Sequence, residues 1–248
     1  MGVSAVTEAY GKRIYAIGDV HGCAVELGIL LNHLTTYEGI GNDDLVVFLG
    51  DYIDRGPDSR GVIEQILEFQ KKCSNTRCLR GNHEDMLLDF LGFGGRLGEA
   101  FLYNGGIDTV QSYGISVFAP PEEMVTKLPQ DHFKFLCELD SIVKTENYIF
   151  VHAGINPLRD LYKQNDNDIY WIRDEFINNV HNMKATVVFG HTPHKEIVMH
   201  LPYKIGIDTG LVFGNKLTCL ELVSGKAMQI YRNTDKVIVE NINGSGAA

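Results

Sequence analysis

Short β-branched runs alternate with longer stretches of helical spacing along the N-terminal part of the chain. Residues 13–20 (Arg-Ile-Tyr-Ala-Ile-Gly-Asp-Val) predict a strand, and Leu27, Leu30, Leu31 and Leu34 then recur on one helix face. Residues 45–49 predict a fully apolar second strand, and 59–72 a helix with Val62, Ile63, Ile66, Leu67 and Phe69 inward. A short third strand, 77–79, leads into a helical run over 85–91. Strand, polar loop and helix thus repeat three times. That rhythm predicts an α/β architecture, in which ligand groups gather beyond the carboxyl ends of the strands.

The pattern then changes. Residues 92–140 hold a glycine-rich stretch, a turn at Asn104-Gly105-Gly106, and Pro120, Pro121 and Pro129 between helical pieces; they read as a mostly helical insertion. Gly92, Gly94, Gly95 and Gly98 do not follow a strand, so a dinucleotide-binding fingerprint is not expected there. From residue 148 the chain turns to β, with strands expected at 148–151, 185–189, 196–199, 204–207, 216–222, 227–231 and 236–239. Residues 1–11 read as a loose start and 243–248 as a flexible tail. Nothing resembles a linker or a repeat, so 1–242 is expected to form one domain of mixed α/β (α+β) class.

Composition narrows the function classes. A chain of 248 residues, 44% hydrophobic and 22% charged, can bury a sizeable core. Its formal charge of -10 disfavours nucleic acid or an anionic membrane as partner, although bound cations can reverse the sign locally. No signal peptide or bilayer-length apolar stretch is expected. The odd, scattered Cys23, Cys73, Cys78, Cys137 and Cys219 suit reduced thiols and a cytoplasmic location, and lack the paired spacing of a zinc ribbon.

The chemistry lies just past the strands. Asp19 and His21 follow the first, and Asp51, Asp54 and Arg55 crowd between Gly50 and Gly56 after the second. Arg80, Asn82 and His83 follow the third; His152 and His191 follow two later ones. Alone, the 50–56 stretch reads equally well as a capped polar turn or as a metal or phosphate site. Five strand ends that each deliver oxygen or nitrogen donors favour the site. Mixed carboxylate, imidazole and amide donors suit Mn, Fe or Zn better than Ca or Mg, and the lack of thiolates disfavours structural zinc. Six ligands are about right for two ions, which would sit about 3.5–4 Å apart and activate a shared water as nucleophile. Arg55 and Arg80 then read as forks for phosphate oxygens, and the reaction as phosphoester hydrolysis.

Five segments, taken together, resemble the signature set of the phosphoprotein phosphatase family of metallophosphoesterases. They are Gly18-Asp19-Val20-His21-Gly22, Gly50-Asp51-Tyr52-Ile53-Asp54-Arg55-Gly56, Arg80-Gly81-Asn82-His83-Glu84, His152-Ala153-Gly154 and Gly190-His191-Thr192. Asn104-Gly105-Gly106, Trp171-Ile172-Arg173, Phe189-Gly190-His191-Thr192-Pro193 and Ile207-Asp208-Thr209-Gly210 are similar to its bacterial and phage branch, that of the bacteriophage lambda phosphatase. The resemblance implies a calcineurin-like fold of two packed mixed β-sheets flanked by helices. It implies a first ion held by Asp19 and His21, Asp51 as bridge, and a second ion held by Asn82, His152 and His191. Two divalent ions are expected, Mn(II) foremost, with Fe or Zn as alternatives. Phosphate would be held by Arg55, Arg80, Asn82, His83 and Arg173, with His83 as general acid and Asp54 its partner carboxylate. The implied activity is a protein Ser/Thr phosphatase of broad specificity, acting on phosphoproteins, phosphopeptides and small phosphomonoesters.

The nearest alternative is a symmetrical dinucleoside tetraphosphate hydrolase. That related family lacks the residue matching Asp54, ends its third motif in Asp where this chain has Glu84, and has Trp where this chain has Thr192. A non-catalytic phosphate-binding protein would predict a broken ligand set. His33, His132, His181, His194 and His200 lack partner motifs and are read as satisfied or solvated, and Glu84 as a supporting residue instead of a ligand.

Overall fold

The computed structural model describes residues 5–242. Its N-terminal half runs β1 (Val6–Glu8), β2 (Ile14–Ile17), α1 (Ala24–Thr36), β3 (Leu45–Phe48), α2 (Ser59–Lys72), β4 (Thr76–Cys78) and α3 (Asn82–Phe90). Two 3-10 turns (Gly98–Ala100 and Leu102–Asn104) then precede α4 (Gly106–Ser112), α5 (Pro121–Lys127) and α6 (Gln130–Cys137). The C-terminal half runs β5 (Ile142–Lys144), β6 (Tyr148–Phe150), α7 (Asp166–Trp171), α8 (Asp174–Ile177), β7 (Thr186–Phe189), β8 (Val198–His200) and β9 (Lys204–Gly206). It closes with β10 (Lys216–Glu221), β11 (Lys226–Tyr231) and β12 (Val237–Asn241).

Two six-stranded mixed sheets result, ordered β1-β5-β6-β7-β9-β8 and β12-β11-β10-β2-β3-β4. Alternation along the strands explains how they stack. On β3, Leu45 and Val47 enter a core shared with Val143, Phe150, Val188 and Ile205 of the other sheet. Val46 and Phe48 point the opposite way, against Leu27, Leu30 and Leu34 of α1 and Val62, Ile66 and Phe69 of α2. A strand buried on both faces needs an unbroken apolar run, and this one has it. The second sheet likewise turns Ile149, Val187 and Phe189 outward against Ile169 and Phe176. The order of layers is therefore helices, sheet, sheet, helices, as the family resemblance implies.

β2, β3 and β4 run parallel to one another, and β6 runs parallel to β7. Their carboxyl ends are where the motif residues emerge. Two expectations need correction. Residues 1–11 are not a loose start throughout: Val6–Glu8 pairs in parallel with Ile142–Lys144, a strand the sequence reading also missed. The third helix begins at Asn82, three residues earlier than expected, because Gly81 is extended (φ -93, ψ 174) and Glu84 accepts its N–H at 2.9 Å. Asn82 and His83 thus stand on a helical first turn. The tail at 243–248 lies outside the described residues. Each of the five cysteines is unpaired, and no helix among the described residues is long and apolar enough to cross a membrane.

Candidate active site

The backbone is strained where the motifs meet. Among the described residues, five of the seven non-glycine positions with positive φ are His21 (46°), Asp51 (52°), Asp54 (71°), Arg55 (66°) and His191 (63°). Left-handed conformations of such residues cost on the order of 1 kcal/mol or more each and persist only where surrounding contacts impose them. Glycine is required at two neighbouring points. A Cβ on Gly50 (φ 100°) would lie 2.7 Å from the Gly81 nitrogen, and one on Gly56 1.9 Å from the His21 carbonyl oxygen.

The side chains so placed form two groups that share Asp51: His21, Asp51 and His83, and Asp51, His152 and His191, all buried, with donor atoms within 4.8 Å of one another. Hydrogen bonds fix two of the rings. His21 Nδ1 lies 2.8 Å from the Ile53 carbonyl and His152 Nδ1 2.7 Å from the Leu49 carbonyl. A carbonyl can only accept, so each Nδ1 carries the proton and each Nε2 turns its lone pair inward. Metal-ligating histidines are held in this way. His21 Nε2 then lies 3.3 Å from Asp51 Oδ2, and His152 Nε2 3.0 Å from Asn82 Oδ1. The same amide oxygen is 2.8 Å from His191 Nδ1. Asp19 Oδ2 accepts the His191 backbone N–H at 2.9 Å.

At His152 Nε2 and Asn82 Oδ1, lone pair faces lone pair, which is repulsive until a cation stands between them. Two further observations agree: Asp19 Oδ1 and His191 Nε2 are buried without a hydrogen-bond partner. Burial and the charges of Asp208 and Asp51 hold Asp19 well above the usual carboxylate range, and burial pushes Asp208 up to about 6. Asp51 is held well below that range: burial opposes its charge, but His152, His83 and His21 outweigh burial. Burial lowers His152 and His191, which favours the neutral imidazole that a metal ligand requires. This donor set fits divalent cations.

His83 belongs to the first group by distance, yet its contacts give it another character. Its Nδ1 is 2.6 Å from Asp54 Oδ2, both side chains are wholly buried, and its Nε2 has no partner. Asp54 is fixed in turn: its Oδ1 accepts from Thr109 Oγ1 at 2.6 Å, and its N–H reaches Thr109 Oγ1 at 2.8 Å and Ser59 Oγ at 3.0 Å. Sequence reasoning missed Thr109, Ser59 and the participation of Asp208. Asp208 stood in a quoted motif and could have been found there, whereas Thr109 carries no local signal.

The arginines are placed differently from one another. Arg55 Nη1 lies 2.9 Å from His21 Nε2, and its guanidinium sits 5.5 Å from the Phe213 ring centre. Arg80 Nη1 stands 3.9 Å from Asp85 Oδ1, and its Nε is buried without a partner. Arg173 is exposed at the N-terminal cap of α8, near enough for its charge to lower His191 further. The background histidines include two satisfied ones: His132 Nδ1 meets the Tyr113 hydroxyl at 2.9 Å and His181 Nε2 the Tyr203 carbonyl at 2.8 Å.

Known proteins are similar to this chain at low identity. The chain is 31% identical over 236 residues to the asymmetrical bis(5'-nucleosyl)-tetraphosphatase PrpE of Oceanobacillus iheyensis, covering 83% of this chain and 87% of that one. It is 29% identical over 223 residues to serine/threonine-protein phosphatase 1 of Salmonella typhimurium, covering 84% and 90% respectively. A crystal structure carrying the provisional name of diadenosine tetraphosphatase superposes with a TM-score of 0.69 at 22% identity, over 93% of this chain and all of that one. The family description of the calcineurin-like phosphoesterases matches residues 12–222, from β2 to the end of β10, and the chain belongs to that family.

Proposed function

We propose that the protein is a phosphomonoester hydrolase dependent on two divalent cations, acting on phosphoserine and phosphothreonine proteins and on small phosphomonoesters. The observation that carries this reading is the buried His83–Asp54 pair at 2.6 Å, with Nε2 unpartnered beside the donor cluster. A serine or threonine alkoxide is a poor leaving group and needs a proton as the bond breaks. A histidine whose other nitrogen is held by a carboxylate supplies it. A polyphosphate leaving group needs that proton far less.

The contacts support the following roles. Asp19 and His21 would hold one ion, Asn82, His152 and His191 the other, and Asp51 both, with Mn(II) the leading candidate and Fe or Zn the alternatives. Such ions, when bound, polarise phosphate oxygens and acidify water. Arg55, within the cluster, and Arg173, at its rim, orient the non-bridging phosphate oxygens, and Arg80 joins them by leaving Asp85. His83, aligned by Asp54, protonates the leaving oxygen. Residues 1–242 would act as one catalytic domain in the cytoplasm, the core between the sheets drawing on both halves of the chain.

A second reading, hydrolysis of dinucleoside tetraphosphates, is favoured by the 31% identity to PrpE. One assay separates them: hydrolysis of a phosphoserine peptide, p-nitrophenyl phosphate and a dinucleoside tetraphosphate, with Mn(II) and with chelator. The proposal expects kcat/KM for the phosphopeptide to exceed that for the tetraphosphate, and all activity to vanish in chelator. The reverse preference would install the second reading, and full activity in chelator would end both.

A further inference from the structure

The loop that carries Asp51 uses its backbone on both edges. Its carbonyls face the first motif: Asp51 O accepts from the Val20 and His21 amides at 3.1 and 2.8 Å, and Tyr52 O from Gly22 at 2.8 Å. Its amides face the third motif and converge on a single side chain. Glu84 Oε2 accepts from Asp51 N at 3.0 Å and from Gly81 N at 2.9 Å; Oε1 accepts from Tyr52 N at 2.8 Å and Ile53 N at 3.3 Å. Consecutive amides turned to one point form an anion-binding concavity, here filled by the protein's own carboxylate.

Glu84 is wholly buried and no arginine or lysine is paired with it among the described ion pairs. Each group its oxygens touch is a backbone N–H donor. Of the residues in left-handed backbone, Glu84 holds Asp51 directly through its N–H, and the two amides that follow it in the same loop.

We infer that Glu84 is a positioning residue for the metal centre: it sets the direction of the Asp51 carboxylate by holding the 51–53 amides, and locks the loop of Asp51, Asp54 and Arg55 to that of Arg80, Asn82 and His83. The inference rests on the ligand assignment above but not on the identity of the substrate. It goes beyond support of one helix end, since three of its four bonds leave α3 for the neighbouring loop.

The test uses Glu84→Gln, which keeps the size of the side chain but replaces one acceptor oxygen with a donor NH2. In the metal-free protein, exchange of the Asp51, Tyr52, Ile53 and Gly81 amides should accelerate at least tenfold relative to β2 and β3. The Kd for Mn(II), measured by calorimetry, should weaken about 10- to 100-fold, the range found when groups orienting a metal ligand are removed. Glu84→Asp, which keeps the charge but is one methylene shorter, should show a smaller loss in both. It also serves where Glu84→Gln does not fold. Tyr52→Phe removes the 2.7 Å bond from the Tyr52 hydroxyl to the Leu79 carbonyl without touching the amide cluster, so it should lower Tm and leave the Mn(II) Kd unchanged. Amide exchange and Mn(II) Kd within twofold of wild type in both Glu84 variants would overturn the inference, as would an equal loss of Mn(II) affinity in Tyr52→Phe. Neither measurement involves a substrate, so an error in the proposed activity would leave them standing.

Discussion

The site is built from residues whose partners are mostly backbone or each other, and this decides which were legible in the sequence. Asp19, His21, Asp51, Asn82, His83, His152 and His191 announce themselves because charged and ligating types crowd at strand ends, where a core has no use for them. Thr109 does not. It lies 55 residues from Asp54, inside a helix of ordinary composition, and only the fold brings its hydroxyl to 2.6 Å from the carboxylate. Thr109→Val tests its place: Asp54 loses an acceptor and a donor at once, so stability should fall by about 1–3 kcal/mol. With His83 less firmly aligned, kcat for a phosphopeptide should fall several-fold while the bound metal, measured by emission spectroscopy, stays at the wild-type amount. A wild-type kcat would remove Thr109 from the alignment of the acid.

At the scale of elements, long periodic stretches were readable and short ones were not. The α2 helix spans the expected 59–72 because five apolar positions recur on one face and Asp58 Oδ1 caps it, accepting from Gly61 N at 2.8 Å. Strands Val6–Glu8 and Ile142–Lys144 are three residues each and owe their existence to one another, across most of the domain. No window of sequence contains both. The start of α3 was misplaced because its first turn carries Asn82 and His83, which read as loop chemistry, and because Gly81 is a weak cap. That helix also supplies a pH test. Asp85 is buried, and burial pushes it up to about 6 from 3.8, so the folded state holds its proton more tightly than the unfolded one. Its contribution to stability is intact below pH 4, falls as pH rises through about 6, and costs at most about 3 kcal/mol above that. Asp85→Asn should therefore gain stability relative to wild type between pH 4 and pH 7 in urea melts at both pH values. A difference between the two proteins that does not change with pH would contradict this.

For the whole molecule, periodicity gave the class, and the stacking of two sheets came from the family resemblance. What joins the halves is the apolar layer between them, and what that layer positions is a rim of parallel strand ends. The residues proposed as metal ligands reach this rim from both sheets, Asp19, His21 and Asp51 from one and His152 and His191 from the other. If this rim holds metals and His83, aligned by Asp54, delivers a proton to a poor leaving group, turnover of His83→Asn with Mn(II) should separate a phosphoserine peptide from p-nitrophenyl phosphate. The expected kcat loss is about 10²- to 10⁴-fold on the peptide and much smaller on p-nitrophenyl phosphate, whose leaving group hardly needs the proton, with bound metal undiminished. Equal losses on the two substrates, or loss of metal from the variant, would contradict that role of His83.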